Sequence, residues 1–289
     1  MSTFKSFALV GANGYIGKHI LKAFLAIGVK PLVITRKTSN TADSLPSSLP
    51  VAKVDLDSVD EVAQALKQHG VEVVVSAIGG ETLGGTQQHL ADASKKAGVK
   101  LFVPSEYGLV TEGVSPYPWC QLSVTSCAKG PVRRRAEYLK SIGLPWARVF
   151  TGLFAGYVPW LGAVEENGKF NVEKGKGDSE LTVTNEDDIG GFIAYVLTTL
   201  PSKELEYRAF RISGENISLE TAGKRLNKEV EHVDAIPGSG PGAEFRKILL
   251  SFVYAGHAMT SWDHATNARK QGPQGNDNHL WAGHEWKKL

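Results

Sequence analysis

The sequence predicts an α/β fold in which a doubly wound parallel sheet is joined to a smaller C-terminal lobe. Near-continuous apolar segments alternate with helix-like segments through the first half of the chain, as expected for parallel strands that are buried on both faces. A glycine-rich turn, GANGYIG from Gly11 to Gly17, separates the first strand from the first helix. The chain has 289 residues, of which 42% are hydrophobic and 21% charged, and this length and composition are typical of such a globular protein.

The elements of the first half follow from apolar runs bounded by glycine, proline and capping residues. Strands are expected at 4–10, 31–36, 51–56, 71–80 and 144–150, and helices at 18–28, 58–70, 86–99 and 132–143. Residues 100–108 are expected to form a fifth strand that runs into a loop. Ser58 with Glu61 three residues on forms a capping-box pattern, which marks the start of the second helix. Pro131 can begin the fourth helix and Gly143 can end it.

The second half of the chain is less regular. A helix with an acidic start is expected at 185–200, a strand at 209–214 and an apolar helix at 245–259, whereas PGSGPG at 237–242 predicts a flexible connection or a loop over a cleft. We therefore expect a dinucleotide-binding domain over residues 1–152, with 187–214 completing its sheet. Residues 153–289 are expected to form an interleaved substrate-binding lobe.

The glycine turn is the feature that indicates a function. In a Rossmann domain such a turn holds a dinucleotide pyrophosphate, because Gly11 and Gly14 let the backbone approach the phosphates and Gly17 lets the helix pack closely on the sheet. The helix N-terminus adds N–H donors and a positive dipole end. The alternative is a glycine turn that binds nothing.

The end of the second strand indicates which dinucleotide is bound. NAD enzymes place an Asp or Glu there for the ribose 2′-hydroxyl, but this strand ends in Thr35, Arg36 and Lys37. Arg36 can fork onto a 2′-phosphate and Lys37 adds positive charge, so the sequence favours NADP(H) over NAD. The alternative is an ordinary basic loop.

Charge and cysteine content exclude several other classes of protein. A net charge of +2 is too small to indicate a nucleic-acid surface, and no apolar run is long enough to span a bilayer. Cys120 and Cys127 fit neither a disulfide framework nor a metal pattern, so we expect free thiols. The first apolar run is a strand that leads into the glycine turn, so we expect no signal peptide, a cytoplasmic protein, and neither nucleic-acid nor membrane partners.

The titratable residues do not form a familiar catalytic or metal motif. No tyrosine has a lysine four positions on, which removes the Tyr-x-x-x-Lys acid of ordinary short-chain dehydrogenases. His264, His279 and His284 lack the spacing of a metal site, and we expect no metal. His257 follows an apolar helix, and it is the histidine for which a position facing a cleft is expected.

Five segments carry a family resemblance that covers nearly the whole chain. They are GANGYIG, the run from Gln87 through AGVKLFVPSEYG to Gly108, FAGY at 154–157, DDIG at 187–190 and NHLWAGHEW at 278–286. Together they resemble the isoflavone reductase-like branch of the NmrA-like atypical short-chain dehydrogenases, and the last segment resembles fungal members in particular. The resemblance implies a Rossmann domain, NADPH, a small aromatic or phenylpropanoid-like substrate between the lobes, and a role in secondary metabolism. The chain is expected to be a monomer or a homodimer.

The resemblance also implies site residues by position. Gly11, Asn13, Gly14, Tyr15 and Ile16 would surround the pyrophosphate, and Arg36 and Lys37 would hold the 2′-phosphate. Ala77 and Ile78 would lie near the nicotinamide ribose, and Gln87 would be a cofactor-side glutamine. Pro104, Ser105 and Glu106 would shape the loop beside the nicotinamide. Phe154 would pack near the nicotinamide or the substrate, with simple core packing as the alternative.

The catalytic residue implied by the resemblance is a lysine just before the helix that leads to the sixth strand, and the candidate is Lys129. A lysine acts as a general acid or base when burial or a neighbouring cation lowers its pKa. The family lysine lies about 11 residues before the glycine that matches Gly143, where this chain has Val132. A three-residue insertion around Gly130 and Pro131 restores the match, and otherwise Lys129 is a solvated loop lysine.

Two functions remain open from the sequence. The first is an NADPH-dependent reductase in which hydride passes to an electrophilic carbon of an aromatic or conjugated substrate and Lys129 polarises or protonates the developing oxyanion. The second is a non-catalytic redox sensor of the NmrA type, which the absent Tyr-x-x-x-Lys and the displaced lysine favour. The aromatic-rich second lobe favours the reductase.

Overall fold

The computed structural model describes residues 3–40, 44–79, 85–113 and 133–289. They belong to two compact units. The first unit consists of the described parts of Met1–Glu106, Ser123–Val149 and Ile189–Phe210. The second consists of the described parts of Tyr107–Leu122, Phe150–Asp188 and Arg211–Leu289.

A five-stranded parallel sheet forms the centre of the first unit, and its strand order is β3-β2-β1-β4-β5. Its strands are β1 (Phe7–Val10), β2 (Leu32–Arg36), β3 (Val51–Val54), β4 (Val73–Ser76) and β5 (Leu101–Val103). A parallel bridge from Phe102 to Trp146 leads on to β6 (Ala147–Phe150), which pairs with β10 (Arg208–Arg211). The predicted α/β class with a parallel central sheet is therefore confirmed.

The helices α1 (Gly17–Ala26), α2 (Val59–Gln68), α3 (Thr86–Ala97) and α4 (Arg133–Ser141) connect these strands. Ser58 caps α2 by accepting the Glu61 N–H at 3.3 Å, as the capping pattern predicts. The apolar faces of α2 and α3 and the strands enclose a core that includes Val10, Ile34, Leu66, Leu90 and Phe102. Burial on both faces explains why all of β1 and the first three residues of β4 are apolar.

The helix α7 (Glu186–Thr199) contains the DDIG segment in its first turns, and its Gly190 packs against α1 within the first unit. A Cβ added to Gly190 would lie 2.5 Å from the His19 carbonyl oxygen, so only glycine permits this approach of the two helices. The short helix α8 (Ser202–Leu205) follows and leads into β10.

The second unit contains three small sheets around its own core. Its strands are β7 (Leu153–Phe154), β8 (Phe170–Glu173), β9 (Glu180–Thr184), β11 (Glu215–Ser218), β12 (Val230–Val233), β13 (Trp262–Asp263) and β14 (Ala268–Arg269). They pair in the orders β11-β9-β7, β12-β8 and β13-β14. Its helices are α5 (Val158–Leu161), α6 (Val164–Asn167), α9 (Leu219–Arg225) and α10 (Gly240–Tyr254), with 3₁₀ turns at Ala155–Tyr157, Gly272–Gln274 and Asn278–Leu280. Phe170 and Val172 lie in the centre of this core.

The prediction of a connection or loop at 237–242 is wrong for its second half, whereas residues 237–239 lie outside any helix or strand. Residues 240–242 form the first turn of α10 instead of a loop, because a proline needs no N–H partner in that turn and its fixed φ already suits a helix. The helix ends at Tyr254 and not at residue 259, since Ala255 caps it and Gly256 follows with φ of 76°.

Candidate functional site

The glycine turn packs directly against the end of β4. Gly11 has φ of 86°, and a Cβ there would lie 2.6 Å from the Ala77 carbonyl oxygen. A Cβ on Gly17 would lie 2.0 Å from the Gly11 carbonyl oxygen. The Gly14 N–H donates to that same oxygen at 2.9 Å, which closes the turn. No side chain fits at these points, so bare backbone faces the space beyond the carboxyl ends of the strands, where ligands of doubly wound folds bind.

A cleft of about 750 Å³ opens beside this turn, entirely within the first unit. Such a volume lies in the range of small-molecule sites. The cleft brings together the turn and the ends of β2, β3 and β4. Its lining consists of Gly11, Ala12, Asn13, Gly14, Ile34, Thr35, Arg36, Lys37, Thr38, Ser39, Val54, Asp55, Leu56, Asp57, Ala77, Ile78, Gly79 and Thr86.

Seven of the residues named from the sequence line this cleft: Gly11, Asn13, Gly14, Arg36, Lys37, Ala77 and Ile78. The Asn13 side-chain amide donates to Ser44 Oγ at 2.8 Å, which ties the turn to the segment after β2. Ile16 is buried as the N-cap of α1, whereas Tyr15 is exposed with the Lys18 ammonium 5.4 Å from its ring centre. Tyr15 and Ile16 therefore belong to the turn without lining the cleft.

The two cations at the end of β2, Arg36 and Lys37, differ in their surroundings. Arg36 is exposed at the end of β2, and its guanidinium has no ion-pair partner in the described parts of the chain. Lys37 Nζ lies 2.7 Å from Glu61 Oε1 on α2. Glu61 Oε2 also accepts the Asp55 N–H at 3.0 Å, and these two partners lower the pKa of the Glu61 carboxyl, the backbone N–H contributing most. The charge of Lys37 is thus already compensated within the protein.

Two carboxylates on the cleft escaped the sequence reasoning. Asp55 and Asp57 follow β3, the strand next to β2, and both line the cleft. Asp57 Oδ1 accepts from Thr86 Oγ1 at 3.1 Å and contacts His89 Nδ1 at 3.3 Å. The signal that would have found them is their position, because residues directly after parallel strands collect at one edge of the sheet.

Gln87 is the centre of a buried network below the cleft. Its Oε1 accepts from Ser76 Oγ at 3.2 Å and from the Ser105 N–H at 2.8 Å, and Ser105 Oγ donates to the Ile78 carbonyl at 2.6 Å. Those contacts leave the Gln87 Nε2 amide buried and without a hydrogen-bond partner among the described residues. A buried donor without a partner is costly, so a ligand group accepting from it would be favoured. Pro104 is buried beside this network.

Glu106 forms a buried ion pair in the first unit. Its Oε2 accepts from Arg148 Nε on β6, and the side chains are 2% and 5% exposed. Its other oxygen, Oε1, is buried without a hydrogen-bond partner among the described residues. The pair links the loop after β5 to β6, so it fixes the position of the Pro104–Glu106 segment.

Phe154 belongs to the second unit and starts a row of four aromatic rings. Its ring stacks on Tyr157 with 5.8 Å between the ring centres and 21° between the planes. The row continues through Trp160, 6.3 Å from Tyr157, to Phe245 at a further 5.8 Å. Burial and the nearby Glu186 carboxylate raise the pKa of the Tyr157 hydroxyl. Tyr157 and Phe245 are partly exposed, so this row presents aromatic surface as well as core.

The remaining expectations concern lysine, cysteine and histidine. Lys129, Cys120 and Cys127 lie outside the described residues.

His257 stacks on Trp262 at 4.6 Å between ring centres and meets the His264 ring edge-on at 5.5 Å. In the described ranges, no three His, Cys, Asp or Glu side chains are grouped as a metal site requires. Over the same ranges, no helix is both long and apolar enough to cross a membrane.

The parallel sheet with its glycine turn after β1 defines a protein with a Rossmann-like domain, and sequence comparison gives its family. The NmrA-like family model matches residues 3–265, so the chain belongs to the NmrA-like family.

Two plant reductases are among the most similar curated relatives. Phenylcoumaran benzylic ether reductase 1 of Arabidopsis thaliana is 31% identical over 205 residues, which cover 66% of this chain and 64% of that protein. Bifunctional pinoresinol-lariciresinol reductase 2 of Thuja plicata is 29% identical over 198 residues, covering 63% of this chain and 62% of that protein. The chain thus spans less than two thirds of the length of either relative. Neither relative supports the resemblance to fungal members in particular.

The structural comparison agrees on the fold. The binary complex of leucoanthocyanidin reductase with NADPH from Vitis vinifera superposes with a TM-score of 0.75 at 19% identity, covering 98% of this chain and 96% of that one. At this identity the likeness shows the fold alone.

Proposed function

We propose that this chain is an NADPH-dependent reductase of a small aromatic or conjugated substrate. The observation that carries the proposal is the bare glycine turn against Ala77. It shares its cleft with the Arg36 guanidinium, which has no ion-pair partner among the residues that the structure describes. Family membership supports it, since both relatives described above carry the name of a reductase.

The residues present fit NADP(H). The glycine turn has no Cβ atoms at Gly11 and Gly17, where an added Cβ would meet backbone atoms, so the pyrophosphate can approach its backbone closely. The start of α1 supplies N–H donors for the pyrophosphate. Arg36 would hold the 2′-phosphate, with Lys37 beside it, and no carboxylate ends β2. Ala77, Ile78, Gln87 and the Pro104–Ser105 loop would surround the nicotinamide ribose. The Gln87 amide, which has no hydrogen-bond partner among the described residues, would find an acceptor there.

When bound, NADPH supplies the hydride. The residues of the chain would orient the substrate, exclude water and supply one proton. We assign the proton to Lys129, whose ammonium would protonate or polarise the oxygen on which negative charge develops. Phe154 and its neighbour Tyr157 offer stacked rings that suit an aromatic substrate. The names of the relatives point to phenylpropanoid-derived substrates for this chain as well.

The test has two stages. Isothermal titration of the full chain with NADPH and NADH should give a dissociation constant for NADPH at least about tenfold lower than for NADH, and Arg36→Ala should remove most of that difference. Pinoresinol and a phenylcoumaran are then added, and the loss of reduced-nicotinamide absorbance is followed. Lys129→Ala should lower the rate at unchanged NADPH affinity. Lys140→Ala, on α4, is the control lysine and should change neither quantity.

The outcomes separate the two functions. Turnover that depends on Lys129 supports the reductase. Binding of both NADPH and NADP+ with different affinities, but without oxidation of NADPH by any aromatic substrate tried, would favour the redox sensor. A retained rate in Lys129→Ala removes that lysine from the mechanism.

A further inference from the structure

We infer that Glu61 determines how strongly this cleft prefers NADPH over NADH, because it neutralises Lys37 and leaves Arg36 as the main cation for the 2′-phosphate. The inference rests on the proposed function, since it concerns the same cofactor cleft. Glu61 does not line the cleft and lies on α2, so it acts through Lys37 as a specificity-determining residue.

The first step of the argument is that Glu61 is held in place at both oxygens. Oε1 lies 2.7 Å from Lys37 Nζ and Oε2 accepts the Asp55 N–H at 3.0 Å. Its own N–H is capped by Ser58 at 3.3 Å, so the start of α2 fixes the backbone from which the carboxylate projects. The lowered pKa of Glu61 means that it is ionised at neutral pH.

The second step is the contrast between the two cations. Arg36 is exposed and has no ion-pair partner in the described ranges, whereas Lys37 already contacts a fixed carboxylate. Within the described part of the chain, a 2′-phosphate would therefore meet a guanidinium of Arg36 that no carboxylate balances, but a charge-balanced pair from Lys37 and Glu61. Guanidinium groups bind phosphate by two parallel hydrogen bonds, which a lysine cannot do.

The third step is the charge of this part of the cleft. Arg36 and Lys37 bring two positive charges, and the lining residues Asp55 and Asp57 bring two negative ones. Glu61 adds a third negative charge behind Lys37. An anionic phosphate gains from the removal of that charge, and Glu61→Gln removes it while keeping an oxygen for the Asp55 N–H.

The experiment measures dissociation constants for NADPH, NADH and 2′,5′-ADP by isothermal titration of the full chain. Glu61→Gln should bind NADPH and 2′,5′-ADP about three- to tenfold more tightly than the wild type, as expected for one partly exposed charge interaction. Its affinity for NADH should stay within about twofold, so the preference for NADPH rises. The gain should shrink as salt is added.

The matched control is Asp60→Asn. Asp60 neighbours Glu61 on α2 and is paired with Lys96 at 2.5 Å, but neither residue lines the cleft. This variant removes one carboxylate and one ion pair from the same helix and should leave all three dissociation constants unchanged. Circular dichroism and a thermal melt check that both variants fold.

Lys37→Ala provides an independent test that leaves α2 intact. In the wild-type background it should weaken NADPH binding by about threefold or less, because the charge removed is already balanced. In the Glu61→Gln background it should abolish the whole gain. Arg36→Ala should weaken NADPH binding by about tenfold or more.

The inference is overturned if Glu61→Gln weakens NADPH binding, since Glu61 would then position Lys37 for the phosphate. An unchanged preference, or a loss of tenfold or more in Lys37→Ala, overturns it as well. Failure of the proposed function is distinguishable: a wild type that binds NADPH but oxidises it with no aromatic substrate is not a reductase yet still tests Glu61, whereas a wild type that binds neither NADPH nor 2′,5′-ADP has no such cofactor site and overturns both.

Discussion

The carboxylate of Asp188 is almost completely buried, and His284, 96 residues further along the chain, donates to it. His284 Nε2 lies 3.2 Å from Asp188 Oδ1, and the Lys287 N–H donates to Oδ2 at 2.7 Å. The Asp188 side chain is 2% exposed, and the His284 ring stacks on Trp281 with 3.6 Å between the ring centres. Both residues belong to the second unit, and the pair joins Asp188 of the DDIG motif to His284 of the NHLWAGHEW motif although the two are far apart in sequence.

Removing this carboxylate should destabilise the second unit. Asp188→Ala leaves two donors without their acceptor, and we expect the free energy of unfolding to fall by about 2–4 kcal/mol, measured by urea denaturation. The control Asp234→Ala breaks an exposed ion pair with Lys174 at 2.7 Å and should cost less than about 0.5 kcal/mol. Equal losses in the two variants would contradict a special role for Asp188.

The glycine turn should not accept a side chain at Gly17. The added methyl group would lie 2.0 Å from the Gly11 carbonyl oxygen, a backbone atom that cannot rotate away. Gly17→Ala should therefore lose about 3 kcal/mol or more of unfolding free energy, or fail to fold. Gly242→Ala, in the first turn of α10, meets nothing within 4 Å and should be neutral or stabilising by up to about 1 kcal/mol. A Gly17→Ala variant as stable as the wild type would show that the turn can move.

Removing one partner of the buried Glu106–Arg148 pair should lower the free energy of unfolding more than replacing both partners with apolar residues. Glu106→Leu leaves the Arg148 guanidinium uncompensated in the core and should lower the free energy of unfolding by about 3–5 kcal/mol. The double variant Glu106→Leu with Arg148→Met should recover most of that loss, because no buried charge remains. Glu244→Gln breaks the exposed pair with Lys247 and serves as the control, with an expected loss below about 1 kcal/mol. Additive losses in the double variant would contradict the pairing.

Acidification should destabilise the second unit through His264. Burial, followed by the neighbouring His257, lowers the pKa of His264 below its ordinary 6.5, and Arg211 also disfavours the charged form, while the Val110 carbonyl and Asp263 oppose the shift. The unfolded chain then takes up the proton at a higher pH than the folded chain does. Stability should fall as the pH drops below about 6.5 and level off once the folded form is protonated too.

The test compares urea midpoints at about pH 7.5 and about pH 5.5. His264→Gln keeps an N–H near the Val110 carbonyl, which His264 Nε2 contacts at 3.2 Å, but does not titrate. The decrease on acidification should be smaller in this variant than in the wild type. The same decrease in both would exclude His264 as its source.

Some local structure could be predicted from the residues alone, because it depends on neighbours in sequence. The order of strand, glycine turn and helix in the first 36 residues, and the Ser58 cap of α2, follow from short-range patterns. Element ends were less accurate: β4 covers Val73–Ser76 where a strand over 71–80 was expected. A buried apolar run continues past the last ladder hydrogen bond, so hydrophobicity does not mark the strand end.

The sequence by itself determined the fold class, the glycine turn and the pair of cations after β2, since each depends on residue types at short spacing. Only the tertiary structure decided which partners these residues have. Glu61 lies 24 residues from Lys37, and no local pattern indicates that its carboxylate balances this cation. The same holds for Asp188 and His284. Charge compensation and burial depend on the distances between side chains in space. For residues far apart in sequence, those distances are set by how the helices and strands pack.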